Sequence, residues 1–240
     1  VLVLAFDTAT PAVTAALHDG HRVLAESTTV DARRHGELLV PTIQKVLAEA
    51  GVPLRQVTTI VAGTGPGPYT GLRVGLMTAQ GLGTALGLAE VYGICTLDAL
   101  AYGTRREEPF LAVTDARRKE LFWARYDDAR TRAAGPFVDK PADIPLDGLP
   151  VAGADLYPEI LGHAAAPPYP LAGFLAALAA ERLAAGEKLG EPRPIYLRRP
   201  DAVVPKAPKR VTEREPKRTP RDAIPQSTVQ AEADSTLEHG

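Results

Sequence analysis

Residues 1–6 form an unbroken apolar run that ends at Asp7-Thr8-Ala9-Thr10, the pattern of a buried strand running into a polar turn. Residues 13–18 and 22–28 read as two strands joined around Asp19-Gly20, a strong short-range hairpin signal. From 36 to 50, Leu39, Ile43, Val46, Leu47 and Ala50 recur on one helical face, and Gly51 closes the helix. Pro41 lies inside that pattern and is expected to kink or delay the helix near its first turn. A strand at 59–62 enters a glycine-rich segment, 63–71, and a helix with Thr70 as its expected N-cap runs on to about residue 88. A short strand at 91–95 and a helix at 97–102 follow. This order predicts an α/β architecture with helices packed on a mixed sheet.

The polar stretch 103–109 reads as a hinge. Beyond it, 110–114, 120–126 and 134–138 predict strands of a second sheet, and 151–154 adds another. Leu171, Phe174, Leu175 and Leu178 mark one side of a helix that stops before Gly186, and 195–197 closes the folded part. The expected division is an N-terminal lobe at 1–103, a smaller C-terminal lobe at 104–199 and a tail at 200–240. The tail has six prolines and no Phe, Trp or Tyr, so disorder is expected there. Its segment Lys206 to Arg221 holds seven basic and two acidic residues. That block suits either contact with RNA phosphates or a simple solvated tail. Both halves begin with a strand ending in an aspartate turn, Asp7-Thr8 and Asp115-Ala116-Arg117, an echo that would suit an actin-like or sugar-kinase-like duplicated fold.

Composition narrows the function classes. The 240 residues are 45% hydrophobic and 23% charged, which describes a globular chain able to bury a core. With 27 basic against 29 acidic side chains, whole-chain electrostatics cannot grip nucleic acid, although a local patch can. One cysteine excludes an internal disulfide framework and a cysteine-based zinc site. The apolar runs are too short for a bilayer and no basic leader precedes the first strand, so the expected compartment is the cytoplasm and no membrane contact is expected.

The glycines carry more. GTGPGPYTGLRVG, residues 63–75, is a glycine-rich loop between a strand and a helix, the setting of a phosphate cradle. Against that reading, it has neither a Walker A pattern nor a complete G-x-G-x-x-G, and Pro66 and Pro68 remove two backbone donors. In the following helix Gly71, Gly75, Ala79, Gly83 and Gly87 are spaced by four, a ridge of small residues that lets another element approach closely. Either the helix 36–50 of the same chain or another subunit would fill it. Catalytic chemistry is not evident. No two histidines are four apart, and His18 and His21 flank the hairpin turn, where exposure is expected. Ser27 is the lone serine before the tail and sits in a predicted strand, while Cys95 lies in an apolar context that raises a thiol pKa. No catalytic residue, metal or cofactor is expected.

Several segments in order, LAFDTAT (4–10), RRHGELLVPTIQKVLAEAG (33–51), GPGPYTGLRVG (65–75), TLDALA (96–101), DARRKELFWARY (115–126) and PIYLR (194–198), together resemble the TsaB (YeaZ) family. That family serves bacterial formation of threonylcarbamoyladenosine at position 37 of tRNAs reading codons that begin with A. Pro68 and Tyr69 stand where the family loop usually has Ser and Phe. The resemblance implies the two-lobed actin-like ATPase (ribonuclease H-like) fold shared with Hsp70 and sugar kinases, mixed sheets packed by helices. It maps the group's Mg²⁺ and phosphate turn onto Asp7, Thr8 and Thr10, here degenerate; the competing reading is that Asp7 satisfies backbone donors in its own turn. It further implies a non-catalytic scaffold whose helices dock the transferase TsaD, through Leu39, Ile43 and Leu47 on one helix and Gly71, Gly75, Ala79 and Gly83 on the next. The ATPase TsaE would join that pair, tRNA would be met through the complex, and the same surface would self-associate into a homodimer without TsaD. The alternatives are a glycoprotease-like peptidase acting on TsaD and a kinase-like ATP-binding enzyme.

Overall fold

The first strand, Val3–Asp7 (β1), is apolar up to its last residue because both of its faces are covered. In the computed structural model, which describes residues 1–88 and 90–198, β1 is the middle strand of a five-stranded sheet. Ala12–His18 (β2) pairs with it antiparallel, Thr14 opposite Asp7, and Val23–Val30 (β3) adds the edge through the predicted hairpin. Thr59–Gly63 (β4) and Tyr92–Ile94 (β5) extend the sheet in parallel on the other side. The two-residue period of a strand then decides the layers. Leu4 and Phe6 face the helices His35–Ala50 (α1) and Tyr69–Leu86 (α2), while Val3 and Ala5 face Ala172–Ala184, a helix from much later in the chain.

α1 buries Leu39, Ile43, Val46 and Leu47, as its period requires, and ends at Gly51 in the left-handed region with φ 65°. It continues through Pro41, and the Thr42 hydroxyl donates to the Leu38 carbonyl one turn back. α2 starts earlier than the expected cap: Pro68 occupies the N-cap position and Thr70 lies exposed in the first turn. Gly87 is not part of the ridge but the left-handed residue that ends the helix.

Thr96–Thr104 (α3) lies between two sheets. Ala99 joins the core under the first, and Leu97, Leu100 and Ala101 join Phe110, Ala112, Ala124 and Tyr126 under the second. That second sheet runs in the order β8-β7-β6-β9, from Phe110–Asp115 (β6), Leu121–Tyr126 (β7), Arg132–Asp139 (β8) and Val151–Gly153 (β9). Its other face is closed by Ile144 and by Leu161 of the one-turn helix Pro158–Leu161 (α4). The long helix Ala172–Ala184 (α5) follows the second sheet in sequence yet packs on the first, where Thr14 Oγ1 accepts the Ala172 N–H at 3.0 Å. A buried polar junction ties these pieces together: the Tyr126 hydroxyl donates to Asp98 at 2.8 Å, with Arg132 and Arg182 at 3.5 and 3.7 Å.

At residues 195–197 the Ile195 N–H donates to the Thr64 carbonyl at 2.8 Å, strapping the chain across the glycine-rich loop. No helix among the described residues is long and apolar enough to cross a membrane. The tail expected at 200–240 lies outside the described residues.

Candidate functional site: the turn after the first strand

Asp7 ends β1 with 1% of its surface exposed. Its Oδ1 accepts the Ala9 N–H at 2.6 Å, and its Oδ2 accepts the Thr96 hydroxyl at 2.6 Å. Thr96 Oγ1 also accepts the Gly65 N–H at 3.0 Å, so one hydroxyl links β1, the glycine-rich loop and the start of α3. Burial pushes the Asp7 carboxyl up to about 6, with the bonds from Thr96 and Ala9 and the nearby His35 pulling the other way. Gly63 closes the site from β4: a Cβ there would collide with Oδ2.

The remaining turn residues face inward too. Thr8 donates its hydroxyl to the Gly71 carbonyl at 2.7 Å. Thr10 Oγ1 accepts the Ala12 N–H, and the Thr10 carbonyl accepts His35 Nε2 at 2.8 Å. Asp7, Thr8 and Thr10 are thus brought together, but every one of their hydrogen bonds above ends on this chain. A hydrated Mg²⁺ needs a carboxylate with free lone pairs facing solvent, and the arrangement does not fit one. What it can do chemically is hold four elements in register through a closed hydrogen-bond junction.

The small-residue ridge explains how the junction closes. A Cβ at Gly71 would run into the Thr8 carbonyl, one at Gly75 would sit 2.6 Å from Thr8 Oγ1, and one at Gly83 would strike Val91. The ridge glycines therefore meet the β1 turn and Val91, and its Ala79 shares the core with Leu39 and Ile43 of α1. Leu39, Ile43, Leu47 and Ala79 are likewise buried in the chain's own core. All seven residues expected to touch a partner form the inner faces of α1 and α2, because the apolar period that identifies a helix's buried side cannot tell an internal from an external partner. Outward-facing positions are Val40, 49% exposed, and Met77, 56% exposed.

The second aspartate turn is built differently. Asp115 Oδ1 accepts the Arg117 N–H at 2.7 Å, but its side chain stays one-third exposed and also pairs with the Arg117 guanidinium. Between the two turns Thr10, Pro11, Thr114, Asp115 and Tyr169 line a cavity of about 100 Å³. Sites for drug-sized ligands occupy roughly 300 Å³ or more, so it holds a few waters' worth of space.

Two other expectations fare differently. His18 is buried, not exposed: its Nδ1 accepts the Gly20 N–H at 3.0 Å, and burial lowers its pKa. Cys95 is buried as expected, its thiol pushed up to about 12 by desolvation and the nearby Asp98, and Ser27 is buried in β3. Among the described residues no three His, Cys, Asp or Glu side chains gather as a metal set. Sequence reasoning missed Thr96, for which the segment TLDALA was the available signal, and Gly63, whose role depends on a contact across the sheet.

Comparison with known proteins agrees with this architecture. The family model described as "TsaD: tRNA N6-adenosine threonylcarbamoyltransferase" matches residues 22–186. An uncharacterized protein of Mycobacterium leprae is 46% identical over 211 residues, covering 84% of this chain and 56% of that protein. TsaB of Escherichia coli, named a tRNA threonylcarbamoyladenosine biosynthesis protein, is 36% identical over 127 residues, 52% of this chain and 54% of that one. The chain thus spans little more than half the length of these two relatives. A Pseudomonas aeruginosa protein of solved structure, described as similar to the peptidase YEAZ, superposes with TM-score 0.71 at 32% identity, covering 82% of this chain and 99% of that one. With a family model matching well over half its length, the chain belongs to the TsaD-type threonylcarbamoyltransferase family, in its TsaB (YeaZ) branch.

Proposed function

We propose that this protein is a non-catalytic accessory subunit in threonylcarbamoyladenosine formation on tRNA, acting at position 37 of tRNAs that read codons beginning with A. In this reading it holds the transferase TsaD in its active conformation, and the ATPase TsaE joins the pair. The TsaB relatives support the pathway. The observation that carries the accessory role is the sealed turn: Asp7 is buried with both carboxylate oxygens bonded within the chain and Gly63 against it, while α2 closes over the neighbouring Thr8. With Ser27 and Cys95 both buried, neither is presented to a peptide as a nucleophile.

The docking surface in this reading is the outer side of the α1–α2 pair, centred on Val40 and Met77, in place of the buried ridge. Leucine at Gly75 or Ala79 would test folding instead of docking. Met77→Glu and Val40→Asp are the informative variants, expected to fold as wild type and to lose co-purification with TsaD. Depletion of the protein followed by nucleoside analysis of bulk tRNA tests the function itself: the modified nucleoside is expected to fall, and an unchanged level would refute the proposal. Calorimetric titration with ATP and Mg²⁺ tests the accessory role, since tight binding by the isolated chain would favour a kinase-like enzyme.

A further inference from the structure

An exposed aromatic and cationic cluster lies where the last described segment crosses the molecule. Tyr196 stacks on Tyr69 with ring centroids 5.2 Å apart and planes 30° apart, and the Arg73 guanidinium carbon sits 3.9 Å from the Tyr69 centroid. Tyr69 and Tyr196 remain 45% and 43% exposed. Two residues on, a span of about 7 Å in extended chain, Arg198 donates to the Ala116 carbonyl at 2.9 Å and pairs with Glu120. This fastens the cluster beside the loop joining β6 to β7. That loop places three successive cationic residues, Arg117, Arg118 and Lys119, in left-handed backbone with φ of 61°, 55° and 61°, all exposed.

A left-handed conformation is unfavourable for any residue with a Cβ, so three in a row without glycine is backbone strain held by its surroundings. Here the holders are Asp115, which accepts the Arg117 N–H, a bond from the Ala116 N–H to the Glu120 carbonyl, and Arg198. The local acids, Asp115 and Glu120, are engaged with Arg117 and Arg198. The result is a cationic rim beside a partly exposed aromatic stack in a chain of net charge −2.

We propose that this cluster is a contact surface for unpaired RNA, with a base stacking on Tyr196 and neighbouring phosphates meeting Arg117 and Lys119. Flat aromatic faces bordered by Lys and Arg match the alternating bases and phosphates of a single strand. A peptide partner would not require the repeated cationic rim. The choice of RNA rests on the tRNA-modification reading above; the geometry of the cluster does not.

The test uses the full chain and a fluorescein-labelled oligouridylate of about 12 nucleotides, followed by fluorescence anisotropy across a salt series. Saturable binding in roughly the micromolar range is expected at moderate salt, weaker for a duplex of equal length. Tyr196→Ala should weaken it by about tenfold without changing the salt slope, and Tyr196→Phe should restore it. Arg117→Glu combined with Lys119→Glu should weaken it and lower the slope by about 0.7 for each phosphate that is no longer neutralised. The exposed Arg55→Glu, away from the cluster, should change neither reading. Absence of saturable binding by the wild type overturns the proposal. So does wild-type affinity in both the tyrosine and the charge variants, which would assign binding to the basic sequence Lys206 to Arg221. Loss of TsaD co-purification by Tyr196→Ala with RNA affinity intact would make the surface a protein contact and overturn it too. Nucleoside analysis after depletion reads the role in tRNA modification, and anisotropy reads RNA binding by this surface, so the two proposals can fail separately.

Discussion

The two central strands, β1 and β6, share one plan and differ in what was built around them. Each pairs antiparallel with the strand that follows and parallel with a later one, and each ends in an aspartate whose carboxylate accepts an N–H two residues on. Around β1, the glycine that ends β4 and the Thr96 hydroxyl sit against the aspartate, and the glycine-lined α2 closes over the next residue, Thr8; Asp7 is buried. Around β6, no glycine-lined helix arrives among the described residues; Asp115 stays partly in water and pairs with an arginine. The same kind of turn therefore serves as a structural junction after β1 and as an open, charged rim after β6. The difference lies in what packs beside each aspartate, Gly63 and Thr96 at Asp7 and an arginine at Asp115, not in the turn.

That contrast can be broken most forcefully at Gly63. Gly63→Ala places a methyl group in the Asp7 carboxylate and is expected to destabilise the protein by about 4 kcal/mol in urea unfolding, or to prevent soluble expression. The next effect is a pH dependence. The folded carboxyl of Asp7 titrates near 6 against an ordinary value of 3.8, so its contribution is fully present below pH 3.8 and is lost as pH rises through 6. The loss is about 3 kcal/mol at most. Asp7→Asn should remove that dependence, so the variant gains on wild type as pH rises through this window in paired urea titrations.

Smaller effects sharpen the same comparison. Thr96→Val keeps the shape but leaves Asp7 Oδ2 and the Gly65 N–H without their shared partner, at an expected cost of about 2 kcal/mol, read as a lower urea midpoint with unchanged slope. On the open side, Arg198→Ala removes the bond to Ala116 and the pair with Glu120. About 1 kcal/mol is expected, because the guanidinium is more than one-quarter exposed and its pair is screened. A larger loss at Arg198 than at Thr96 would reverse the ranking of the two turns.

Much of this is legible in the chain. The buried run of β1, the hairpin at Asp19-Gly20, the stripe of α1 with its Gly51 stop and the second group of strands after residue 109 all follow from local periodicity and turn chemistry. The ridge on α2 is legible only as a ridge. Spacing by four announces close packing along the helix, but which element packs there depends on a strand turn and on Val91, neither adjacent in sequence to the glycines it meets. His18 departs from its expected exposure for a similar reason: a polar residue beside a turn reads as exposed until the sheet register sets it opposite Val3. The stack of Tyr69 on Tyr196 carries no local signal at all, since it joins residues more than a hundred positions apart.

By itself the sequence determined the strands, the helices, their inner faces and the family, because period, caps and ordered motifs are properties of neighbouring residues. The tertiary structure alone decided that Asp7 is sealed while Asp115 is open, that the glycine ridge faces inward, and that α5 returns to the first sheet. Those outcomes depend on which distant atoms fill the space beside each residue, and no local pattern encodes the occupant of that space.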